Sequence, residues 1–413
     1  MRLKQALLAM TAAAGLVMAI ATVAHADVPP PTEGSLRKYD ITATYVSGVS
    51  AGGYMANQLH VAHSSVFQGV GIMSAGPYGC ADGDDSAATI AQNACMKTNM
   101  RRRTPAELEQ MTRDRAAAGT VDPVANLSGD PVWLLHGSND QTVLRAVNDD
   151  LATYYRDFGA NVVYNTSTGA GHGWVSPFGT VSCASTASPY VNDCGTDPQR
   201  EMLGHLFGSV NAPATTLTGK LIQFGQNGHA PGGSADGISM GNVGFAYVPQ
   251  SCESGPCKLM VALHGCYQYH GLIGDTFMDQ ANLNEYADTN NMIVLYPQAK
   301  ESYFPILNPR GCWNWWAYGS DTQYAQKNGK QITAIMNMVT ALGGGPGGPG
   351  PTPTPTPTPE CVTAHNVAHT MAMRAYAVWG QTYAMGSGQH LGPWSSLTTS
   401  SIKQTSPGNW VKC

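Results

Sequence analysis

Gly48-Val49-Ser50-Ala51-Gly52 is the stretch that decides the fold of this chain. It follows residues 41–46, ITATYV, a β-branched and aromatic run that predicts a strand. It precedes residues 54–62, YMANQLHVA, in which apolar residues recur at helical spacing. A glycine on each side of the serine permits a sharp turn and keeps bulky neighbours away from the hydroxyl. The pattern therefore predicts a strand–turn–helix unit that presents Ser50 at its turn.

A second Gly-x-Ser-x-Gly pattern, Gly237-Ile238-Ser239-Met240-Gly241, lies in different surroundings. It follows the loop-like residues 229–234, HAPGGS, and precedes a strand, so the order strand, turn, helix is missing. In a chain of 413 residues with 47 glycines, such a short pattern also arises by chance and needs its context. We therefore predict that Ser50 is a nucleophile and that Ser239 is a turn residue.

A serine hydroxyl becomes an effective nucleophile beside a base that a carboxylate orients. Residues 131–135, PVWLL, predict a short buried strand, and Asp140 follows on the loop at its end, where sites of parallel sheets are assembled. Residues 161–164 predict another strand, and a flexible glycine-rich loop after it holds His172 between two glycines. We expect Asp140 to orient His172, and His172 to act as the base for Ser50.

Other acids and histidines compete for these two roles. Asp149 and Asp150 fall on a predicted helix, where a carboxylate ordinarily faces solvent. Structural hydrogen bonding is the expected role of four further histidines: His60, His63, His136 and His264. No metal-ligand spacing, phosphate-binding loop or dinucleotide fingerprint accompanies the candidate triad, so we expect neither a metal nor a cofactor.

The apolar residues 259–263, LMVAL, lead into a second turn, His264-Gly265-Cys266. A developing oxyanion needs two fixed N–H donors, and we expect them to be the backbone N–H groups of Ala51 and Cys266. An ordinary strand-ending turn is the alternative. In most α/β-hydrolases this turn precedes the nucleophile, whereas here it comes more than two hundred residues later. The sequence therefore predicts a circularly permuted α/β-hydrolase fold, with a mostly parallel sheet flanked by helices.

Four segments carry a resemblance to a known family. They are 48–56 (GVSAGGYMA), 263–266 (LHGC), 291–298 (NMIVLYPQ) and 312–316 (CWNWW). Together they resemble the catalytic domain of poly(3-hydroxybutyrate) depolymerases, in the permuted group whose oxyanion and tryptophan segments follow the histidine. The resemblance covers most of residues 38–342. It implies that Asn308 and Trp313 hold the polyester chain near the serine, with a core aromatic beside Cys312 as the alternative for Trp313.

Composition divides the chain into segments. Residues 1–26 combine two basic residues, an apolar run and a small-x-small cleavage site, as a signal peptide does; a retained membrane span is the alternative. We expect residues 27–342 to be the catalytic domain. Residues 343–359 contain only glycine, proline and threonine, which predicts a linker without a packed core.

Residues 360–413 predict a small module bounded by Cys361 and Cys413, in which residues 362–377 resemble an amphipathic segment. It is rich in aromatic residues, namely Tyr376, Trp379, Tyr383, Trp394 and Trp410. Its residues 374–376, 383–388 and 406–410 resemble the C-terminal substrate-binding domain of the same depolymerases. That resemblance implies adhesion to solid polyester, which raises the local enzyme concentration. A carbohydrate-binding module is the alternative.

All ten cysteines follow the predicted cleavage site, and secretion would make them available for disulfides. Ten cysteines allow about 945 pairings, so the sequence alone leaves the pairing open. Closeness along the chain favours Cys80–Cys95, Cys183–Cys194 and Cys252–Cys257, which leaves Cys266–Cys312 and Cys361–Cys413.

The net charge is −5, and the basic run 101–103 is typical of the solvated start of a helix. We therefore expect no nucleic-acid partner.

These features predict a secreted serine esterase that cleaves backbone esters of a short-chain polyhydroxyalkanoate such as poly(3-hydroxybutyrate). Its products would be oligomers and monomers of 3-hydroxybutyrate, and its partner would be solid or soluble polyester. We expect a monomer that does not bind membranes. A secreted feruloyl or acetylxylan esterase is the alternative within enzymes. A non-catalytic polymer-adhesion protein is the alternative outside them, and the complete triad argues against it.

Overall fold

A computed structural model of the protein describes residues 26–82, 87–345, 361–406 and 409–413. The described residues belong to two compact units, one within residues 1–348 and the other within residues 349–413. The predicted signal peptide, residues 1–26, lies outside the described residues except for its last residue. The predicted linker, residues 343–359, lies outside them beyond residue 345.

A mixed β-sheet runs through the larger unit. The strands are β1 (Thr32–Gly34), β2 (Ile41–Val49), β3 (Phe67–Met73), β4 (Pro131–Leu135), β5 (Asn161–Asn165), β6 (Trp174–Val175), β7 (Val181–Ser182), β8 (Val191–Asp193), β9 (Lys220–Gly225), β10 (Val243–Val248), β11 (Cys257–Leu263) and β12 (Met292–Tyr296). Within the described residues, nine of them form the main sheet in the order β1-β9-β10-β12-β11-β2-β3-β4-β5. Strand β10 is antiparallel to both of its neighbours, and the other adjacent pairs are parallel. Strands β6, β8 and β7 form a small separate sheet.

Helices pack on both faces of the main sheet. They are α1 (Ala51–Ala62), α2 (Ala87–Ile90), α3 (Pro105–Ala117), α4 (Arg145–Asp157), α5 (Pro198–Phe207), α6 (His270–Ile273), α7 (Thr276–Gln280), α8 (Asn284–Asn290) and α9 (Lys330–Leu342). Single turns of π or 3-10 helix lie at Ala91–Cys95, Val124–Leu127, Pro231–Gly233, Asp236–Ile238, Gln250–Glu253 and Tyr318–Ser320. No helix in the described ranges is both long enough and apolar enough to span a bilayer.

Two hydrophobic layers enclose the sheet, because side chains of a strand alternate between its faces. In β11, Leu259 and Val261 join the layer that contains α1 and α9. Met260 and Ala262 join the layer that contains α5 and α8. Apolar residues at successive positions are therefore buried on both sides, as is usual for parallel strands covered by helices.

The residue just before β2 and the last residue of α9 meet in space. The N–H of Tyr39, just before β2, donates a hydrogen bond to the carbonyl of Leu342, the last residue of α9, at 2.8 Å. Strand β2 lies between β11 and β3, and Leu263 is in register with Gly48. Strand β11, which leads into the predicted oxyanion turn, therefore lies next to β2, which leads into Ser50, although β11 comes later in the sequence. This arrangement confirms the predicted permutation of the α/β-hydrolase order.

All five expected disulfides are present. They are Cys80–Cys95, Cys183–Cys194, Cys252–Cys257, Cys266–Cys312 and Cys361–Cys413. The basic run 101–103 differs from expectation, because it precedes its helix. Thr104 caps α3 instead, exchanging hydrogen bonds with Glu107, and Pro105 occupies the first helical position.

The smaller unit consists mainly of β-strands. Its elements are β13 (Val362–His365), α10 (Asn366–Met371), β14 (Ala375–Val378), β15 (Gln381–Ala384), β16 (His390–Pro393), β17 (Thr399–Ser406) and β18 (Asn409–Lys412). The strands form two three-stranded antiparallel sheets. Its buried core is small and comprises Ala375, Ala384, Leu391 and Ile402. The prediction of one amphipathic segment over residues 362–377 was wrong, because this stretch is divided into a strand, a short helix and a second strand.

Candidate active site

Ser50 lies at a tight turn between β2 and α1. Its backbone has φ 54° and ψ −123°, a conformation that L-residues rarely adopt. The flanking glycines are required by close approach, since a Cβ on Gly48 would lie 2.3 Å from the carbonyl oxygen of Gly52. A Cβ on Gly52 would lie 2.2 Å from the carbonyl oxygen of Leu263. The turn therefore projects Ser50 outward while α1 packs tightly against the end of β11.

The structure brings the three predicted triad residues together. Nε2 of His172 lies 2.8 Å from Oγ of Ser50, and Nδ1 of His172 lies 2.8 Å from Oδ2 of Asp140. A carboxylate only accepts hydrogen bonds, so Nδ1 carries the ring proton and Nε2 is free to accept from the serine. Ser50 is half-buried, whereas Asp140 and His172 are buried. This geometry allows the serine hydroxyl to be deprotonated as it attacks.

The carboxylate of Asp140 is kept ionised by its surroundings. Burial alone would raise its pKa, but the electrostatic interaction with the imidazole of His172 and the hydrogen bonds that the carboxylate accepts outweigh burial and lower that pKa. Its second oxygen, Oδ1, accepts from the N–H groups of Thr142 at 2.8 Å and Val143 at 3.0 Å. Asp140 is therefore both charged and fixed in position, as an orienting acid must be.

The loops that carry the acid and the base are bonded to each other. The N–H of Asn139 donates to the carbonyl of Ala170 at 3.0 Å. The glycine-rich loop around His172 was expected to be flexible, and the structure shows that its glycines are closely packed. A Cβ on Gly171 would lie 2.3 Å from the carbonyl oxygen of Ser185, and one on Gly173 would lie 2.1 Å from Oδ1 of Asn192. The glycines flank the histidine because another segment packs directly on its backbone.

The two expected oxyanion donors lie at the ends of neighbouring strands. Ala51 is the first residue of α1, where N–H groups are not used by the helix and the dipole favours negative charge. Gly265 lies beside the nucleophile, because a Cβ built on it would be 3.4 Å from Cβ of Ser50. Cys266 follows directly and is tied to Cys312 by its disulfide. The turn thus stands next to the serine, as an oxyanion turn requires.

The structure buries the two side chains that were expected to hold the polyester, Asn308 and Trp313. Asn308 is 1% and Trp313 0% exposed, which for Trp313 fits the alternative of a core aromatic beside Cys312. Nε1 of Trp313 donates to the carbonyl of His264 at 3.0 Å, and Nδ2 of Asn308 donates to the carbonyl of Cys312 at 2.8 Å. Trp313 therefore holds the turn directly, and Asn308 holds Cys312, which is joined to the turn by its disulfide with Cys266.

Ser239 is tied into a loop, as expected of a turn residue. Its Oγ lies 2.7 Å from Oγ of Ser302 and donates to the carbonyl of Lys300 at 3.1 Å. The competing acids Asp149 and Asp150 lie on α4 and pair with arginines. In the described part of the chain, the ring of His172 is hydrogen-bonded to Asp140 and Ser50 instead.

The competing histidines are structural. His60 contacts the hydroxyl of Tyr155 at 3.0 Å and Oδ2 of Asp130 at 3.2 Å, and Nε2 of His136 donates to the carbonyl of Val143 at 2.9 Å. His63 departs from this expectation, because its buried Nε2 has no hydrogen-bond partner in the described part of the chain.

Sequence reasoning missed two residues that brace the site. The backbone N–H of His172 donates to Oγ1 of Thr186 at 2.9 Å. Oε1 of Gln268 accepts from the N–H of Gly265 at 2.7 Å, while its Nε2 donates to the carbonyl of Tyr190 at 3.0 Å. No local pattern marks either residue, because Thr186 bonds a residue 14 positions away and Gln268 bonds one 78 positions away.

The fold and this site define a class of protein. The site has a serine at a strand–helix turn, a histidine bonded to that serine, and a buried carboxylate bonded to the histidine. These are the parts of a serine hydrolase of the α/β-hydrolase fold. The protein is a carboxylic ester hydrolase of this class.

Comparison with known proteins identifies the family. Residues 36–186 match the prolyl oligopeptidase family. The chain is 34% identical to a poly(3-hydroxybutyrate) depolymerase of Delftia acidovorans over 97% of each chain. It is 39% identical to a polyhydroxybutyrate depolymerase of Talaromyces funiculosus over 71% of this chain and 87% of that protein. The chain belongs to the poly(3-hydroxybutyrate) depolymerase family.

Two solved structures are similar to the larger unit. One is a PHB depolymerase complexed with an R3HB trimer, with a TM-score of 0.66 at 34% identity, covering 75% of this chain and 98% of that chain. The other is a PHB depolymerase from Penicillium funiculosum, with a TM-score of 0.65 at 33% identity and the same coverage.

Proposed function

We propose that this protein is a secreted depolymerase that hydrolyses the backbone esters of poly(3-hydroxybutyrate) or a closely related short-chain polyester. The contacts of 2.8 Å that join Ser50 to His172 and His172 to Asp140 carry the proposal. Relatives named as depolymerases of this polymer support the choice of substrate. Five disulfides support an oxidising, extracellular location.

The first half of the reaction acylates the serine. Oγ of Ser50 attacks the ester carbonyl carbon, and its proton passes to Nε2 of His172. Asp140 stabilises the imidazolium that forms. The backbone N–H groups of Ala51 and Cys266 stabilise the tetrahedral oxyanion. When the intermediate collapses, His172 returns the proton to the leaving hydroxyl end of the polyester.

The second half releases the acyl group. Water enters, His172 accepts its proton, and the hydroxide attacks the acyl carbon through a second oxyanion intermediate. Collapse of this intermediate restores the hydroxyl of Ser50 and frees a carboxylate end. Each cycle cleaves one ester bond and consumes one water.

We also propose that the smaller unit binds the polyester surface. It leaves large apolar side chains in solvent, with Trp379 97%, Leu397 93% and Met371 82% exposed. Trp379 and Gly380 form the two-residue loop between β14 and β15, and both have positive φ, 51° and 77°. Such turns favour asparagine followed by glycine, whereas tryptophan is strained there. A strained and exposed tryptophan favours a binding role over a structural one.

Hydrolysis and adhesion can be tested separately in the full-length chain. Ser50→Ala should remove clearing of a poly(3-hydroxybutyrate) emulsion and hydrolysis of p-nitrophenyl butyrate, while the inactive chain still sediments with polymer granules. Ser239→Ala, the matched serine in the second motif, should retain both activities. A dead Ser239→Ala and an active Ser50→Ala would contradict the proposed nucleophile.

Trp379→Asn tests the adhesive role. Asparagine suits the turn, so this variant should be at least as stable as the parent but should be retained less on granules. Unchanged retention would contradict a role for Trp379. Retention on xylan or cellulose but not on the polyester, together with release of ferulate or acetate from xylan, would favour a plant-wall esterase instead.

A further inference from the structure

The histidine that opens the oxyanion turn is buried and takes no part in the proton transfers proposed above. His264 is 0% exposed. Its Nδ1 lies 2.7 Å from the carbonyl oxygen of Gly265, and its Nε2 lies 3.1 Å from the backbone nitrogen of Ala299. A carbonyl only accepts and an amide N–H only donates. The ring must therefore carry its proton on Nδ1 and present a lone pair at Nε2.

Burial keeps this ring neutral. It lowers the pKa of His264 to about 4, although the hydrogen bond to Gly265 acts in the opposite direction. A second proton would have to sit on Nε2, where the N–H of Ala299 already points. The backbone on both sides of the ring therefore selects one tautomer and one charge state.

The bond from Nδ1 fixes the peptide that joins Gly265 to Cys266. A peptide unit is planar and trans, so its C=O and its N–H point in opposite directions. By holding the carbonyl of Gly265, the ring sets the direction of the N–H of Cys266. The preceding peptide is held separately, because Gln268 accepts from the N–H of Gly265 at 2.7 Å and Trp313 donates to the carbonyl of His264 at 3.0 Å.

We propose that His264 is a positioning residue that aims the Cys266 N–H at the oxyanion through its Nδ1–H. This inference rests on the proposed hydrolysis at Ser50. His264 does not touch the substrate, and its contribution is to prevent the oxyanion donor from turning away as charge develops. Loss of this contact should therefore raise the free energy of the transition state more than that of the bound ester.

Two isosteric substitutions separate the two ring nitrogens. In His264→Asn the amide nitrogen takes the place of Nδ1, so the bond to the Gly265 carbonyl can persist while the acceptor for Ala299 is lost. In His264→Gln the amide lies near the position of Nε2, so the Ala299 bond can persist while the Gly265 carbonyl is released. Each variant loses one hydrogen bond, and only the second frees the oxyanion peptide.

The assay is hydrolysis of p-nitrophenyl butyrate by the full-length chain. We expect kcat to fall about 10²-fold in His264→Gln and less than about 10-fold in His264→Asn, with KM within about threefold of the parent in both. Affinity for an alkyl trifluoromethyl ketone, whose serine adduct places an oxyanion in the same site, should fall in parallel with kcat. Equal kcat values in the two variants, or a loss confined to KM, would overturn the proposal.

A matched control is His60→Asn, another fully buried histidine, ten residues beyond Ser50 on α1. It should lower the melting temperature and leave kcat unchanged; a loss of kcat as large as that of His264→Gln would assign the effect to folding. If neither His264 variant folds, nitrogen-15 spectra of histidine-labelled parent protein decide. A protonated Nδ1 at His264 supports the proposal, and a protonated Nε2 overturns it.

The same assay keeps the two proposals distinguishable. If Ser50→Ala remains active, the proposed mechanism itself fails. If Ser50→Ala is inactive while the asparagine and glutamine variants behave alike, only the positioning role of His264 fails.

Discussion

Replacing Gly52 by alanine should damage catalysis more than its single methyl group suggests. Gly52 is the second residue of α1, and its Cα faces the end of β11, where the oxyanion turn begins. The methyl group would lie 2.2 Å from the carbonyl oxygen of Leu263 and 2.5 Å from that of His264. Both atoms belong to the backbone, so no change of rotamer can relieve the contact.

The size of the effect follows from these distances. Ordinary contacts of a Cβ begin near 3.4 Å, so the helix and the turn must separate by about 1 Å. Catalytic groups tolerate errors of about 0.5 Å, and a misplacement of about 1 Å costs roughly 10²-fold in rate. Overpacking of this kind also costs about 1–3 kcal/mol of stability. We therefore expect kcat to fall about 10²-fold and the melting temperature to drop.

The assay compares Gly52→Ala with Gly228→Ala, whose added Cβ would meet nothing within 4 Å. Both variants are first checked for folding by circular dichroism and then assayed with p-nitrophenyl butyrate. The control should match the parent in kcat and melting temperature. If Gly52→Ala also keeps kcat within about twofold of the parent, the helix and the oxyanion turn are not coupled as closely as the distances require.

Three further predictions concern stability and organisation. Burial is the main cause that lowers the pKa of His63 to about 4, from an ordinary 6.5. Between pH 4 and 6.5 the unfolded chain therefore binds more protons than the folded protein. The free energy of unfolding should fall as the pH falls through this range, by up to about 1.4 kcal/mol per pH unit from this group. Urea unfolding of His63→Gln should show a shallower dependence of this free energy on pH. Ending the chain after residue 342 should leave hydrolysis of p-nitrophenyl butyrate within about twofold, because every proposed catalytic group precedes that point, but should sharply reduce degradation of solid polymer; equal losses on both substrates would contradict separate roles for the two units. Joining Leu342 to Tyr39 by a short loop, and opening the chain between α5 and β9, should give a folded and active enzyme, as judged by its melting curve and kcat; an insoluble product would count against the permutation as the explanation of the chain order.

Local patterns were sufficient to predict the elements that position the triad. The run PVWLL at residues 131–135 coincides with β4, because β-branched and aromatic residues beside turn residues mark a buried strand. The turn that carries Ser50 was predictable for a similar reason, since its glycines, the strand before them and the helix after them are contiguous in sequence. Asp140 and His172 could be selected because each follows a strand that ends at the same edge of the sheet.

Residues that act through distant contacts could not be found in this way. Gln268 donates a hydrogen bond to Tyr190, which is 78 positions away in the sequence, and no residue near Gln268 in the sequence predicts that contact. Trp313 is a second case, because the sequence left open whether it holds the polyester or packs in the core, and only the structure shows that its indole N–H donates inward to the carbonyl of His264. The orientation of a side chain depends on which elements pack around it. A sequence pattern predicts the element and leaves its packing partners undetermined.

The adjacency of strands in space explains why the site is preserved although the order of the segments along the chain is changed. The proposed catalytic groups depend on adjacency: the end of β2 must lie beside the end of β11, and the loops after β4 and β5 must meet above them. Parallel strands place their carboxyl ends at one edge of the sheet whatever order connects them. The sequence ends of the fold can therefore move to the opposite edge, where Tyr39 and Leu342 meet at 2.8 Å, without disturbing that edge. Tyr39 precedes the nine residues of β2 and Ser50 follows them, which at about 3.3 Å per residue puts the two some 30 Å apart. Leu342, which is bonded to Tyr39, therefore lies far from Ser50, and the order of the strands along the chain leaves the catalytic edge unchanged.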